Sequence, residues 1–103
     1  MGAREWRELG NRLAVLLVHL LKWQRQPERR GNSWQRTIKV QRMEINDLPA
    51  DNPGLKSELE EIFAKAYQKA RLLAADEIQF DDSAFPDDSP FGLRQALDFA
   101  FLP

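Results

Sequence analysis

Apolar side chains recur along the first quarter of the chain at Trp6, Leu9, Leu13, Leu16, Leu20 and Trp23, stepping by three and four residues. That period predicts an amphipathic helix over residues 4–25. Leu17 and Leu21 widen the stripe, and Val15 and Val18 carry apolar surface further round, as in a central helix buried on more than one side. Pro27 closes it, because proline biases the preceding Gln26 away from helical geometry. After a Gly31-Asn32-Ser33 turn, Asn32 stands three residues before Gln35 and resembles a capping box. Trp34, Ile38, Gln41, Ile45 and Leu48 then alternate four and three apart, with Gln41 the one polar member, so a second helix of about 15 residues is expected before Pro49 stops it near residue 48. Asn52-Pro53 supplies a cap and a proline at the first helical position, where its missing donor costs nothing. The third and longest helix follows Leu55, Leu59, Ile62, Ala66 and Leu73, with Phe63, Tyr67 and Ala70 less regular, to about Ile78, opposite Lys56, Glu60, Lys65 and Lys69.

Gln79 to Ser89 loses helical periodicity and holds four acids, so it reads as a loop pinned by Phe80 and Phe85. Ser89-Pro90 repeats the cap-plus-proline signal and opens a short last helix around Phe91, Leu93 and Leu97, followed by an apolar tail, Phe99 to Leu102, that must lie against the other helices. No segment alternates as a strand does, and the connections are short. The expected class is all-α: an antiparallel helical bundle of three main helices plus a short C-terminal helix and tail, forming one domain over residues 1–103.

Length and composition agree with this picture. The chain has 103 residues, 43% of them hydrophobic and 30% charged, which suits one soluble domain and disfavours disorder. It has no cysteine. That excludes disulfides, Cys-based zinc sites and thiol nucleophiles, and suits a reducing compartment, so the cytoplasm is expected. The longest apolar run, Leu13 to Leu21, is interrupted at His19 and is too short for a membrane span of about 20 residues, so no membrane association is expected. Arg4, Arg7 and Arg12 precede that run, but Glu5 and Glu8 lie among them and no small-residue cleavage site follows, which argues against a signal peptide.

Charge changes the picture more. Residues 1–45 hold ten Lys or Arg against four acids, and residues 46–103 hold five against twelve, although the net charge of the whole chain is only −1. One reading gathers Arg25, Arg29, Arg30, Arg36, Lys39 and Arg42 into a basic surface for a partner or for phosphates, with Trp23 or Trp34 available to stack on a base. The other docks the basic half on the acidic half, within one chain or between two copies. The corner where Trp23 and Trp34 meet Pro27 is dense in large side chains, and packing alone explains two indoles clamping adjacent helix ends. His19, the only histidine, lies one turn from Trp23 and has no local triad partner, which favours a structural role over general-base chemistry. Asp81, Asp82, Asp87 and Asp88 lack the loop glycine and terminal glutamate of an EF-hand and read as a solvated loop, so no metal and no cofactor are expected.

Longer matches carry a resemblance. Arg12-Leu13-Ala14-Val15-Leu16-Leu17 with His19-Leu20-Leu21-Lys22-Trp23-Gln24, then Gln26-Pro27-Glu28-Arg29-Arg30 and Ser33-Trp34, resemble the bacterial domain of unknown function 29 family. The likeness continues through Thr37-Ile38, Gln41-Arg42, Asn52-Pro53, Ala66-Tyr67, Phe85-Pro86 and Phe101-Leu102-Pro103. It implies a helical bundle and supplies no activity. Where the family tends to carry Cys-Pro-Tyr, this chain has Ser89-Pro90-Phe91, so a role resting on that thiol or phenol is not expected. Family members also usually carry a further helical segment before the stretch matching Met1 to Leu9, so the resemblance implies an N-terminally shortened member. Its first helix would then expose several leucines and favour self-association.

The expected function is accordingly a small non-catalytic helical interaction module, presenting the basic surface to a protein partner or another copy. A nucleic-acid-binding accessory protein using the same arginines is the alternative, with affinity falling steeply with salt. An enzyme comes third and requires a pocket uniting His19 with acids of the second half.

Overall fold

The computed structural model describes residues 3–47 and 53–103. Three long helices, α1 (Ala3–Arg25), α2 (Asn32–Asn46) and α3 (Pro53–Ile78), are followed by the short α4 (Leu93–Leu97), with 3₁₀ turns at Pro27–Arg29 and Asp82–Ala84. The expected stop at Leu48-Pro49 and the Asn52 cap lie outside the described residues, as do the side chains of Leu55 and Lys56. The protein is an all-α bundle, as the periodicities predict.

α1 is the central helix, and α2 and α3 pack on it more than on each other. Lys22 of α1 lies over the Trp34 ring and Arg12 faces Glu44, so α2 runs antiparallel to α1. Gly10 meets Ile62, and Lys22 meets Glu77, so α1 and α3 run parallel in an up–down–up order. At a rise of about 1.5 Å per residue, the 26 residues of α3 account for the 40 Å long axis of the molecule.

Leu13, Leu16, Leu17, Leu20 and Leu21 are all buried against the flanking helices. The leucine stripe expected to lie open on the first helix is therefore covered within the fold, since α3 and α2 occupy its two sides. Only Val15 of that helix's described large apolar residues is substantially exposed. On α3 the buried residues are Phe63, Ala66, Tyr67, Ala70, Ala74 and Ala75, with Leu59 and Ile62 packed at the margin, whereas Leu73 faces out. The buried stripe runs through Phe63 and Tyr67 together with four alanines, and Leu73 falls outside it.

Two caps differ from expectation. Gly31, in extended conformation, is the cap residue of α2, Asn32 is already helical, and no side chain caps the helix, so the Asn32–Gln35 capping box does not form. The last helix starts at Leu93 rather than after Ser89-Pro90. The Ser89 hydroxyl instead accepts from the Phe91 N–H, and the Gln95 side chain accepts from Gly92 N–H. Phe85 pins the 79–89 loop in the core as expected, but Phe80 is 41% exposed and lies outside the core.

Candidate functional site

Three arginines of the basic first half reach the C-terminal segment through its backbone carbonyls. Arg42, one turn beyond Ile38 on the apolar face of α2, is only 2% exposed. Its Nε donates to Ala96 O at 2.8 Å and its NH2 group to Phe101 O at 2.9 Å. Burial pulls its pKa down and Asp98 opposes the shift, but a guanidinium stays charged in a protein. Arg30 donates to Trp23 O at 2.7 Å and to Pro103 O at 3.4 Å, with its guanidinium 5.3 Å from the Trp23 ring centroid. Arg25 donates to Ala84 O and lies over the Phe85 ring. Three arginines of the first half thus grip the chain between residues 84 and 103, a region whose carbonyls are left over by its irregular backbone.

α3 holds the same region from its own side. The Tyr67 hydroxyl donates to Pro86 O at 2.6 Å, Gln68 Nε2 to Asp87 O at 2.6 Å, and Arg71 pairs with the Asp87 carboxylate at 3.3 Å. Burial pushes the Tyr67 phenol above its ordinary pKa, so it remains a donor. Among the described residues, Lys22 and Glu77 form an ion pair across the two charge halves at 3.2 Å, with Lys22 buried.

The six cations expected on one surface therefore separate. Arg42 is withdrawn into the core, because the i, i+4, i+7 face of α2 runs through Ile38, Arg42 and Ile45 rather than through Gln41. Arg25 and Arg30 reach the surface but are engaged by carbonyls. Arg29, Arg36 and Lys39 are exposed and have no hydrogen-bonding or ionic partner among the described residues. Trp23 is buried and Trp34 half-buried against the core, with Lys22 Nζ 5.0 Å from the Trp34 ring centroid, so the aromatic corner is a packed one.

Beside the unpaired cations lies a groove of about 310 Å³ between α2 and the C-terminal tail. Gln35, Ile38, Lys39 and Arg42 line one wall, and Phe99 and Leu102, 50% and 39% exposed, line the other. A smaller depression formed by Asn32, Gln35, Arg36 and Lys39 continues it along α2. Sequence reasoning missed Phe99 and Leu102, because the apolar tail was expected to be covered. Only Phe101 of the three tucks in, edge-on to Phe91 with centroids 5.7 Å apart. Phe99 and Leu102 flank Phe101 in an irregular stretch after α4, where Arg42 holds the Phe101 carbonyl.

A second groove, about 330 Å³, brings His19 together with Glu77, Lys69, Asn11, Val15 and Leu73. The His19 Nδ1–H donates to Val15 O at 2.9 Å, and burial lowers the pKa of the ring below its ordinary 6.5, partly opposed by that hydrogen bond. Glu77 is held by Lys22, so its carboxylate serves an ion pair rather than orienting the imidazole. The side chains lining this groove include no hydroxyl or thiol; its polar groups besides His19 are Asn11, Lys69 and Glu77.

Among the described residues, no three His, Cys, Asp or Glu gather as metal ligands. The Asp81 carboxylate closes a local turn onto Ser83, and the Asp87 carboxylate pairs with Arg71. No helix among them is long and apolar enough to cross a membrane.

These features define a small all-α protein with an arginine-clasped C-terminal segment and a cation-rimmed apolar groove. The chain belongs to the DUF29 family, described as a domain of unknown function, whose family model matches residues 1–102. No curated protein and no solved structure matches it closely enough to imply common ancestry.

Proposed function

We propose that this protein is a non-catalytic helical interaction module of the bacterial cytoplasm, and that the α2 groove is the surface it offers to a protein partner. The observation that carries this reading is the pairing of two chemistries in one place. Arg36 and Lys39 are unpartnered among the described residues, and they border apolar side chains that remain half-exposed after the bundle has closed. An apolar patch rimmed by polar groups is the usual form of a protein-binding site. The nucleic-acid reading has less support. Of the six cations only Arg29, Arg36 and Lys39 have no partner among the described residues, and a surface that neutralises fewer phosphates releases fewer counterions on binding.

A photo-crosslinking amino acid at Gln35, on the groove wall, tests the reading in the host cell, with Lys65 on the exposed face of α3 as control. The expected result is a discrete crosslinked protein from position 35 and none from position 65. Crosslinks to nucleic acid, or none above the control, would contradict it.

A further inference from the structure

The groove has a complement elsewhere on the same molecule. At the end of α3, Gln79 adopts a left-handed backbone conformation with φ 59°. The Phe80 N–H bonds Ala75 O at 2.8 Å and the Gln79 N–H bonds Asp76 O at 3.3 Å, the two bonds of a Schellman cap. Glycine normally takes that left-handed position. Here Gln79 holds it, anchored by its own Nε2 on Asp76 O at 2.7 Å. In such a cap the residue after the left-handed one usually packs back on the helix. Phe80 instead stays 41% exposed, and Asp76, four residues before it, and Asp81, directly after it, are exposed acids. A left-handed cap that leaves an aromatic ring part-exposed in a segment carrying exposed acids is complementary in charge to an apolar groove rimmed by cations.

We propose that the Phe80 corner of one copy docks into the α2 groove of a second copy, with Phe80 against Phe99 and Leu102, and Asp76 and Asp81 facing Arg36 and Lys39. This deepens the interaction reading by naming its partner, and rests on that groove being the interaction surface. Charge complementarity favours a second copy: the groove belongs to the basic half of the chain and the corner to the acidic half, while the whole carries only −1. α1 stands between the helix bearing the groove and the helix bearing Phe80, so the contact joins different copies rather than folding one copy back on itself. The two surfaces differ, so the contact is heterologous, head to tail.

Sedimentation velocity over a concentration series tests the proposal, using the wild type, a groove variant (Arg36→Glu with Lys39→Glu) and a corner variant (Phe80→Ser with Asp81→Lys). All the altered side chains are exposed, and circular dichroism verifies that each variant folds. The expected result is a wild-type mass that rises above 12.0 kDa with concentration and returns toward it with added salt. Each variant alone stays monomeric, and an equimolar mixture regains a species of twice the chain mass, because it contains one intact corner and one intact groove. A monomer at every concentration, association that persists in either variant, or a mixture that stays monomeric overturns the proposal. If the wild type is monomeric while a different protein crosslinks at position 35, self-docking fails and the broader reading survives. Failure at position 35 is a separate result.

Discussion

Arg42 shows how a residue's chemistry can be legible while its place is not. Its charge identified it as surface, yet its register, four residues after Ile38 and three before Ile45, set it on the buried face of α2. An arginine can occupy a core position when carbonyls meet its donors, and here Ala96 and Phe101 supply them. Those carbonyls lie more than fifty residues away in sequence, and no local pattern announces them. Trp34 was easier, because a helical indole next to a proline turn is a packing signal. Truncating it to alanine removes part of the core margin and uncovers Lys22; we expect a loss of about 2 kcal/mol, seen as a fall in Tm of about 10 °C. An unchanged melt would instead make the indole a binding element. His19 titrates in the opposite sense to a stabilised histidine. Its pKa is lowered in the fold, chiefly by burial, so between the folded value and 6.5 the unfolded chain binds more protons and stability rises with pH. Compared with His19→Gln, the wild type should lose stability as the pH falls below 6.5 and level off below the folded pKa, measured as urea midpoints on both sides of that range. A difference between the two proteins that does not change with pH would contradict this.

Helix ends and helix contacts followed backbone needs that side-chain periodicity does not encode. The three long helices were readable because each carries several turns of stripe, whereas α4 has only five residues and its start depended on which polar group found which N–H. Gly10 and Gln79 give opposite tests of backbone preference. A Cβ on Gly10 would meet Ile62 Cγ2 at 3.7 Å, an ordinary contact, within a regular stretch of α1. Gly10→Ala should therefore stabilise the fold by about 1 kcal/mol through helix propensity alone. Gln79→Gly relieves a left-handed side chain and should also stabilise, by about 1 kcal/mol, less whatever the Gln79–Asp76 bond contributes. Chemical denaturation of both variants is the check. A destabilised Gly10→Ala would mean that α1 and α3 pack more tightly than the 3.7 Å contact shows.

Across the whole molecule, part of the uneven charge distribution is used inside the fold. The sequence posed two readings, a basic surface or an internal docking of basic on acidic halves, and the structure divides the residues between them. Lys22 meets a carboxylate, while Arg25, Arg30 and Arg42 meet carbonyls of the C-terminal segment. Carbonyl recognition is independent of side-chain identity, which is why counting acids did not reveal it. The exposed Phe99 and Leu102 lie on the segment so held, and with Arg36 and Lys39 they make the groove that the functional reading rests on. The most direct test of this account is amide hydrogen exchange on the wild type and Arg42→Met, a variant that keeps an apolar stem but has no donors. In the wild type the Ala96, Asp98 and Phe101 amides, bonded to Gly92, Gln95 and Asp98, should exchange slowly. In the variant they should exchange much faster, while the amides of α1 stay protected. Equal exchange at residues 93–103 in the two proteins would show that Arg42 does not hold the C-terminal segment in place, and would contradict the account.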